Sequence, residues 1–295
     1  MRPGTEPAGE LVAALRALRE RDRKTAHEHA IRAGEQGWVL GTELARHLED
    51  GARPEVYDQP AAFRAFVRGG GNVPLYQNLS RTLARHYELS CPGGSLLDIG
   101  CGDGLALAPA VELASPPPAR LDLVEPSAEL LRAAGERLAG FAGELGTHPV
   151  DAQAFTGYLG PGDHWDLAQA TFSLQSVPPA DRPEVLRGLR EHTGGLLIAE
   201  FDVPDLAEGG PEHLHSLATR YERGIAEYAG QAGLVAKGFM LPMLLGLLEP
   251  GRPRTNWEQP VQAWRELLAD AGYRETTVTP IHDYWWSPAV LLHAR

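Results

Sequence analysis

Leu96-Leu97-Asp98-Ile99-Gly100-Cys101-Gly102-Asp103-Gly104, followed twenty-one positions later by a carboxylate closing Leu121-Asp122-Leu123-Val124-Glu125, decides how this chain folds. The first run is a short apolar strand entering a glycine turn. The second is an apolar strand that ends in an acid. A strand, a glycine turn, a helix and an acid-ended strand are the means by which α/β folds hold a nucleoside. Glycines let the backbone approach the ligand, and the terminal acid accepts hydrogen bonds from two ribose hydroxyls.

The glycines also discriminate between nucleosides. A dinucleotide site calls for G-x-G-x-x-G, with a helix N-terminus open to a pyrophosphate. Here Gly100, Gly102 and Gly104 give G-x-G-x-G, and Leu105 stands where the third glycine would fall. Asp98 and Asp103 crowd the turn. They disfavour a pyrophosphate and suit S-adenosylmethionine (SAM), which has no phosphate and carries a sulfonium and an ammonium.

The segment resembles the first motif of class I SAM-dependent methyltransferases, and further matches follow in order. Glu125, with Pro126 after it, resembles the family's ribose-binding acid. Asp151, ending a short strand at 147–151, falls where the family binds the adenine amino group, with Ala152 and Gln153 in the adenine-contact segment. Residues 165–172, which include Thr171 and Phe172, resemble the fourth strand, with Gln175 in the turn beyond. Residues 195–202 read as the fifth. The resemblance covers roughly residues 75–295. It implies a Rossmann-like, seven-stranded α/β sheet with a reversed C-terminal strand, and SAM as cofactor.

Composition bounds the remainder. The 295 residues, 43% hydrophobic and 22% charged, suffice for one large α/β domain with an added layer. A net charge of −12, with Lys24 and Lys237 the only lysines, leaves no basic stripe to follow phosphates, which argues against a nucleic-acid substrate. Cys91 and Cys101 do not make a disulfide framework. No four-ligand zinc cluster appears, no metal is expected, and no apolar run reaches about 18 residues. With no apolar signal stretch at its start, the chain is expected to be soluble and cytoplasmic.

Along the chain, residues 1–9 are rich in proline and glycine. The spacing predicts helices over 9–34 and 42–49, and residues 1–59 are expected to form a helical extension that acts as a cap or dimerisation element. A methyltransferase domain is expected over 60–295. In its lead-in, Phe63, Phe66 and Val67 are helically spaced, Gly69-Gly70-Gly71 breaks the helix, and a new helix starts near Pro74. In related folds that region covers the methionine end of SAM, which makes Asn72 and Tyr76 candidate contacts. Strands are predicted near 95–100, 120–125, 147–151, 165–172 and 195–202, and helices near 105–114, 127–142, 182–192 and 260–271, an alternation that implies a parallel sheet. Residues 274–286 and 289–293 read as an antiparallel hairpin. The stretch 203–259 is too long for a simple crossover and is read as a substrate-cap insertion, with helices over 211–229 and 234–248.

Methyl transfer is an in-line displacement, and a nucleophile carrying a proton also needs a base. Asp202, Tyr228, His282 and Tyr284 are the candidate catalytic residues. Glu200, Tyr221, Phe239, Trp257 and Trp285 are candidates to line the acceptor site. Alternation places Glu200 and Asp202 on one face, and sends His282, Tyr284 and Trp286 one way with Asp283 and Trp285 the other. Seven-residue spacing puts Tyr221 and Tyr228 on one helical face. The Asn-Pro-Pro-Tyr signature of amino-methylating nucleic-acid enzymes is absent, since the fourth strand ends Ala170-Thr171-Phe172.

The runs Phe66-Val67-Arg68-Gly69-Gly70-Gly71-Asn72-Val73-Pro74-Leu75-Tyr76, Glu200-Phe201-Asp202-Val203-Pro204 and Asn256-Trp257-Glu258-Gln259-Pro260 resemble bacterial natural-product C-methyltransferases, among them enzymes that methylate C3 of an indole. That resemblance implies a small, tryptophan-derived acceptor such as a cyclic dipeptide. An α-keto acid carbon, or an oxygen or nitrogen of a small molecule, is the nearest alternative. A scaffold that binds SAM without transferring its methyl would carry the same motifs.

Overall fold

In the computed structural model, residues 8–50, 59–248 and 256–295 are described. The chain opens with α1 (Gly9–Arg19), α2 (Arg23–Glu35), α3 (Val39–Asp50), α4 (Pro60–Val67) and α5 (Asn72–Ser90). There follow β1 (Ser95–Ile99), α6 (Leu107–Leu113), β2 (Arg120–Val124), α7 (Ala128–Arg137), β3 (Glu144–His148), α8 (Ala152–Tyr158), β4 (Leu167–Thr171), α9 (Arg182–His192) and β5 (Leu196–Phe201). After α10 (Pro211–Ala226), α11 (Ala232–Val235) and α12 (Leu241–Leu248), the chain closes with α13 (Val261–Asp270), β6 (Thr276–Asp283) and β7 (Pro288–Ala294).

The strands form one seven-stranded sheet in the order β3-β2-β1-β4-β5-β7-β6. The first five pair in parallel, and β7 runs antiparallel between β5 and β6. This is the Rossmann-like architecture with a reversed strand that the sequence implied. The four central strands are buried almost throughout, without alternation, because both faces are covered. On one face Leu97, Ile99, Ala168, Ala170, Leu196 and Ile198 pack against Phe155 of α8, Val185 and Leu186 of α9, and Trp264 and Leu268 of α13.

Residue contacts gather the chain into two units, Met1–Val73 with Asp205–Pro253, and Pro74–Pro204 with Arg254–Arg295. The second holds the sheet. In the first, α1, α2 and α3 pack in succession and α10 packs on α1 and α3. Glu222 of α10 accepts hydrogen bonds from the backbone N–H groups of Val39 and Leu40, which satisfies donors that open α3.

Several boundaries depart from the sequence reading. The helix expected over 9–34 is two helices. Arg21 turns the chain with φ +62°, and Asp22 caps α2 through the Thr25 N–H. The third strand covers Glu144–His148 rather than 147–151, because Asp151 caps α8 instead of closing a strand. The helix expected over 211–229 ends at Ala226, so Tyr228 lies beyond it and does not share a helical face with Tyr221. The helix expected over 234–248 is interrupted by a π-turn segment at Ala236–Met240. The stretch Ala229–Leu248 is by length and composition apolar enough to cross a membrane, contrary to the expectation of no such run, although half of it is buried inside the protein. Residues 1–7, 51–58 and 249–255 of the expected extension and insertion lie outside the described residues.

Candidate functional site

β1 delivers Asp98 and then Gly100 to the carboxyl edge of the sheet. The N–H groups of Gly100 and Cys101 both donate to Val124 O at the end of β2, which holds the glycine turn against the neighbouring strand. Gly100 has φ +68°, and a Cβ there would stand 2.5 Å from Cβ of Ser173. Ser173 is itself fixed by its hydroxyl, which donates to Ile99 O at 2.6 Å. Gly102, at φ +55°, has open space where its Cβ would be. The turn is therefore left-handed, closely packed on one side and open on the other, and only glycine suits both positions.

Glu125, just past β2, is nearly buried. Its Oε2 accepts from Gly102 N–H at 3.1 Å and its Oε1 from Ser127 N–H at 3.0 Å. Each oxygen keeps a lone pair, the capacity a ribose diol requires. Asp98 is 1% exposed, and its Oδ1 is buried with no hydrogen-bond partner. Burial pushes its carboxyl up to about 7, with the nearby Glu125 adding to the shift. A buried, unmatched carboxylate oxygen beside a second carboxylate is a poor place for phosphate and a good one for a cation. The residues present thus fit SAM, with its ammonium and diol. Asp103 is a weaker part of that argument than the sequence implied. Its Oδ2 is paired with Arg137 at 2.7 Å, so its charge is answered within the protein.

Asp151 is exposed, and its Oδ1 caps α8 through the Ala154 N–H. Ala152 is buried behind it, and Gln153 reaches Asp181. Beyond β4, Phe172 adopts φ +54°, and the amide of Gln175 donates to Phe172 O.

From there an aromatic column runs along the carboxyl edge. Tyr76 meets Phe172 edge-on at 6.3 Å, Phe172 stacks on Phe201 at 4.6 Å, and Phe201 stacks on Tyr284 at 5.3 Å. Trp285 and Trp286 continue the column. Trp286 donates its indole N–H to Glu258 at 2.8 Å. Phe201 was not singled out in the sequence, although its place at the end of the fifth strand, next to the end of the fourth, is the signal that would have found it. β6 ends at Asp283, after a bulge between Pro280 and His282, so Tyr284, Trp285 and Trp286 belong to a turn and not to the strand alternation expected of them. His282, half-buried, faces Ala289 of β7 in the register.

Glu200 is 1% exposed on the face that carries α9 and α13, and burial pushes its carboxyl up to about 8. Its Oε1 accepts from Gln175 N–H. The buried Arg182 ties this corner together. Its guanidinium donates to the carbonyls of Val177, Gln175 and Trp257 and to Gln259 Oε1, and lies 4.7 Å from the centre of the Trp264 ring. No part of the sequence reading had assigned Arg182 a role. Trp257 is held in the same corner by its N–H to Gln175 O. Asp202 Oδ1 accepts from Val261 N–H and so caps α13, which gives that carboxylate structural work.

The other candidates lie in the helical unit. The Tyr228 hydroxyl donates to Phe66 O at 3.1 Å and accepts from Asn72 Nδ2 at 3.1 Å, and burial pushes the pKa of the phenol well up. A phenol so engaged and so hard to ionise fastens the Gly69–Gly71 turn, against which its ring packs, and is a poor base. Phe66 stacks on Tyr228 and meets Phe239 at a tilt, and Tyr221 is buried in α10. Among the described residues no group of three His, Cys, Asp or Glu side chains could hold a metal ion.

Comparison with known proteins accords with this geometry. Residues 97–194 match the family described as a methyltransferase domain. No curated protein matches the chain. Among solved structures, the CMeT domain of the citrinin polyketide synthase is similar with a TM-score of 0.54 and 14% identity, over 92% of this chain and 67% of that one. A possible exported protein from Bordetella parapertussis is similar with a TM-score of 0.51 and 18% identity, over 100% and 98% of the two chains. The pyocyanin biosynthetic protein PhzM gives a TM-score of 0.50 and 14% identity, over 87% and 68%.

Proposed function

We propose that the chain is a class I SAM-dependent methyltransferase, as its match to a methyltransferase domain over residues 97–194 and its sheet order support, and that its acceptor is a small, planar aromatic molecule. The observation that carries this reading is the column of Tyr76, Phe172, Phe201 and Tyr284 at the carboxyl ends of β4 and β5. Ligands of doubly wound sheets bind at that edge. The half-buried rings of Tyr76, Phe172, Phe201 and Trp286 leave surface on which another ring can lie. Such a contact contributes about 0.5–1.5 kcal/mol beyond the area it buries. The net charge of −12 speaks against a nucleic acid in this role.

When bound, SAM supplies an electrophilic methyl on its sulfonium. Glu125 accepts the ribose hydroxyls, Asp98 offers a carboxylate oxygen to the ammonium, and Asp151 keeps one oxygen for the adenine amino group. Aromatic faces also favour a nearby cation, which adds to the hold on the sulfonium end. In this reading His282, near the end of β6, takes a proton from an acceptor N–H or O–H. Within the aromatic class, the narrower reading is attack by the electron-rich C3 carbon of an indole, as in a tryptophan-derived cyclic dipeptide. Two free, buried cysteines fit a reducing compartment, and we place the protein in the cytoplasm.

The test is to incubate the protein with SAM and a panel of indoles, phenols and aliphatic α-keto acids, and to read each product's mass. The expected result is a gain of one methylene on aromatic acceptors only, with indoles leading. Turnover of the aliphatic keto acids alone would overturn the aromatic reading.

A further inference from the structure

Asp98 on β1 and Gln169 on β4 are direct partners in the parallel register. Their side chains leave the sheet side by side on one face. Both are buried to 1% exposure or less. Tyr87, from α5 and equally buried, donates its hydroxyl to Gln169 Oε1 at 2.5 Å. With Oε1 taken by a donor, the Gln169 amide turns its Nε2 toward Asp98. The reverse orientation would set a second acceptor against a carboxylate. The amide is near enough to draw the pKa of Asp98 down against the effect of burial. Yet Asp98 Oδ1 has no partner of hydrogen-bonding geometry, and neither does Gln169 Nε2. Leaving the Asp98 oxygen buried and unmatched is costly, and that cost is removed when a ligand supplies the missing donor.

We propose that Tyr87 and Gln169 form a positioning relay that holds the Asp98 carboxylate with one oxygen presented to the ammonium group of SAM. The affinity for the amino-acid end of the cofactor is thereby set from inside the sheet. This inference rests on the reading above that the turn after β1 binds SAM. The groups that face Asp98 are Glu125 from the end of β2, Cys101 in the glycine turn and Tyr87 from α5. Asp103 is a further acidic neighbour of Cys101. None of these is a cation, so the ammonium has no competitor among them.

A carboxyl held near 7 binds an ammonium well only when ionised. Affinity for S-adenosylhomocysteine therefore rises by about tenfold from pH 6 to pH 8, as the competent fraction does. 5′-Methylthioadenosine has the same nucleoside but neither the ammonium nor the carboxylate, and its affinity stays flat. Titration calorimetry of both ligands across that range tests the relay. In Gln169→Leu, S-adenosylhomocysteine weakens by about tenfold at pH 7 and the midpoint of its pH profile moves upward, because the donor that favours the ionised form is gone. 5′-Methylthioadenosine keeps its affinity. Tyr87→Phe, which keeps the packing of the core, shifts the same way by less. If both ligands weaken together, or if neither variant changes S-adenosylhomocysteine binding, the relay is refuted. If the wild-type protein binds neither ligand, the SAM reading fails and this inference falls with it.

Discussion

Glu125 and Asp98 divide the nucleoside end of the ligand from its amino-acid end, and substitution at each should leave a different signature. Glu125→Gln removes the charge that two ribose hydroxyls address, while its remaining oxygen can still receive Gly102 N–H or Ser127 N–H. Hydrogen bonds to a charged group contribute about 1.5–3 kcal/mol. The variant should bind S-adenosylhomocysteine and 5′-methylthioadenosine more weakly to the same degree, by at least about tenfold, while Tm stays within about two degrees. Calorimetry and a melting curve check both halves. Unchanged affinity for both ligands would remove Glu125 from the site. Asp151→Ala should cost about 1 kcal/mol in stability through the lost cap on α8, read by denaturant titration. Its affinity for adenosine ligands should fall as well, which a helix cap alone would not cause.

Gly100 shows how an element depends on one backbone angle. Gly100→Ala brings a Cβ within 2.5 Å of Ser173 and forces a side chain onto φ +68°. The expected loss is about 1–3 kcal/mol with SAM binding impaired, and adding Ser173→Gly should recover only the steric share. Denaturant titration of the single and double variants separates the two terms. The elements most legible in the sequence were those whose signal is local. Leu96–Gly104 and Leu121–Glu125 showed their strands, their turn and their acid because each needs only its own residues. Lys24 and Thr25 follow a capping Asp22, a local signal for the break between α1 and α2 that the longer helical period concealed. Tyr228 was misplaced because heptad spacing reads as a shared face only while the helix lasts, and α10 stops at Ala226. Arg182 was invisible. Its four hydrogen-bond acceptors come from Gln175, Val177, Trp257 and Gln259, which are brought together only by the fold. The aromatic column was half legible, since Tyr284 and Trp285 were noticed but their turn and their partner Phe201 depend on where β6 ends.

Across the whole molecule, two buried carboxyls set an unusual dependence on pH. Folding raises Asp98 from an ordinary 3.8 to about 7, and Glu200 from 4.5 to about 8. A carboxyl raised in this way stabilises fully below its unfolded value, and that contribution is lost as pH climbs through the folded value. The ligand-free protein should therefore melt several degrees lower at pH 8 than at pH 5.5. Asp122 and Asp166, held below their ordinary value, govern only the acid side near pH 4 and under. Glu200→Gln should flatten the slope, because its amide oxygen can still receive Gln175 N–H; a melting temperature that rises steadily from pH 5.5 to 8 would contradict this. The division of the chain into units has a separate bearing on how the protein is made. Helices α1 to α3 leave the ribosome first, but their partner α10 begins at Pro211, after five of the seven strands have been synthesised. The helical unit is thus begun early and finished late, with the faces of α1 and α3 that α10 covers left open through the making of about half the chain. The sheet waits longer still, since β5 acquires its outer neighbour only when Pro288–Ala294 have been made. A nascent chain stalled near residue 200 would expose both an apolar helical surface and an open strand edge, which makes the last third of the chain, and not the cofactor motif, the segment on which escape from aggregation depends.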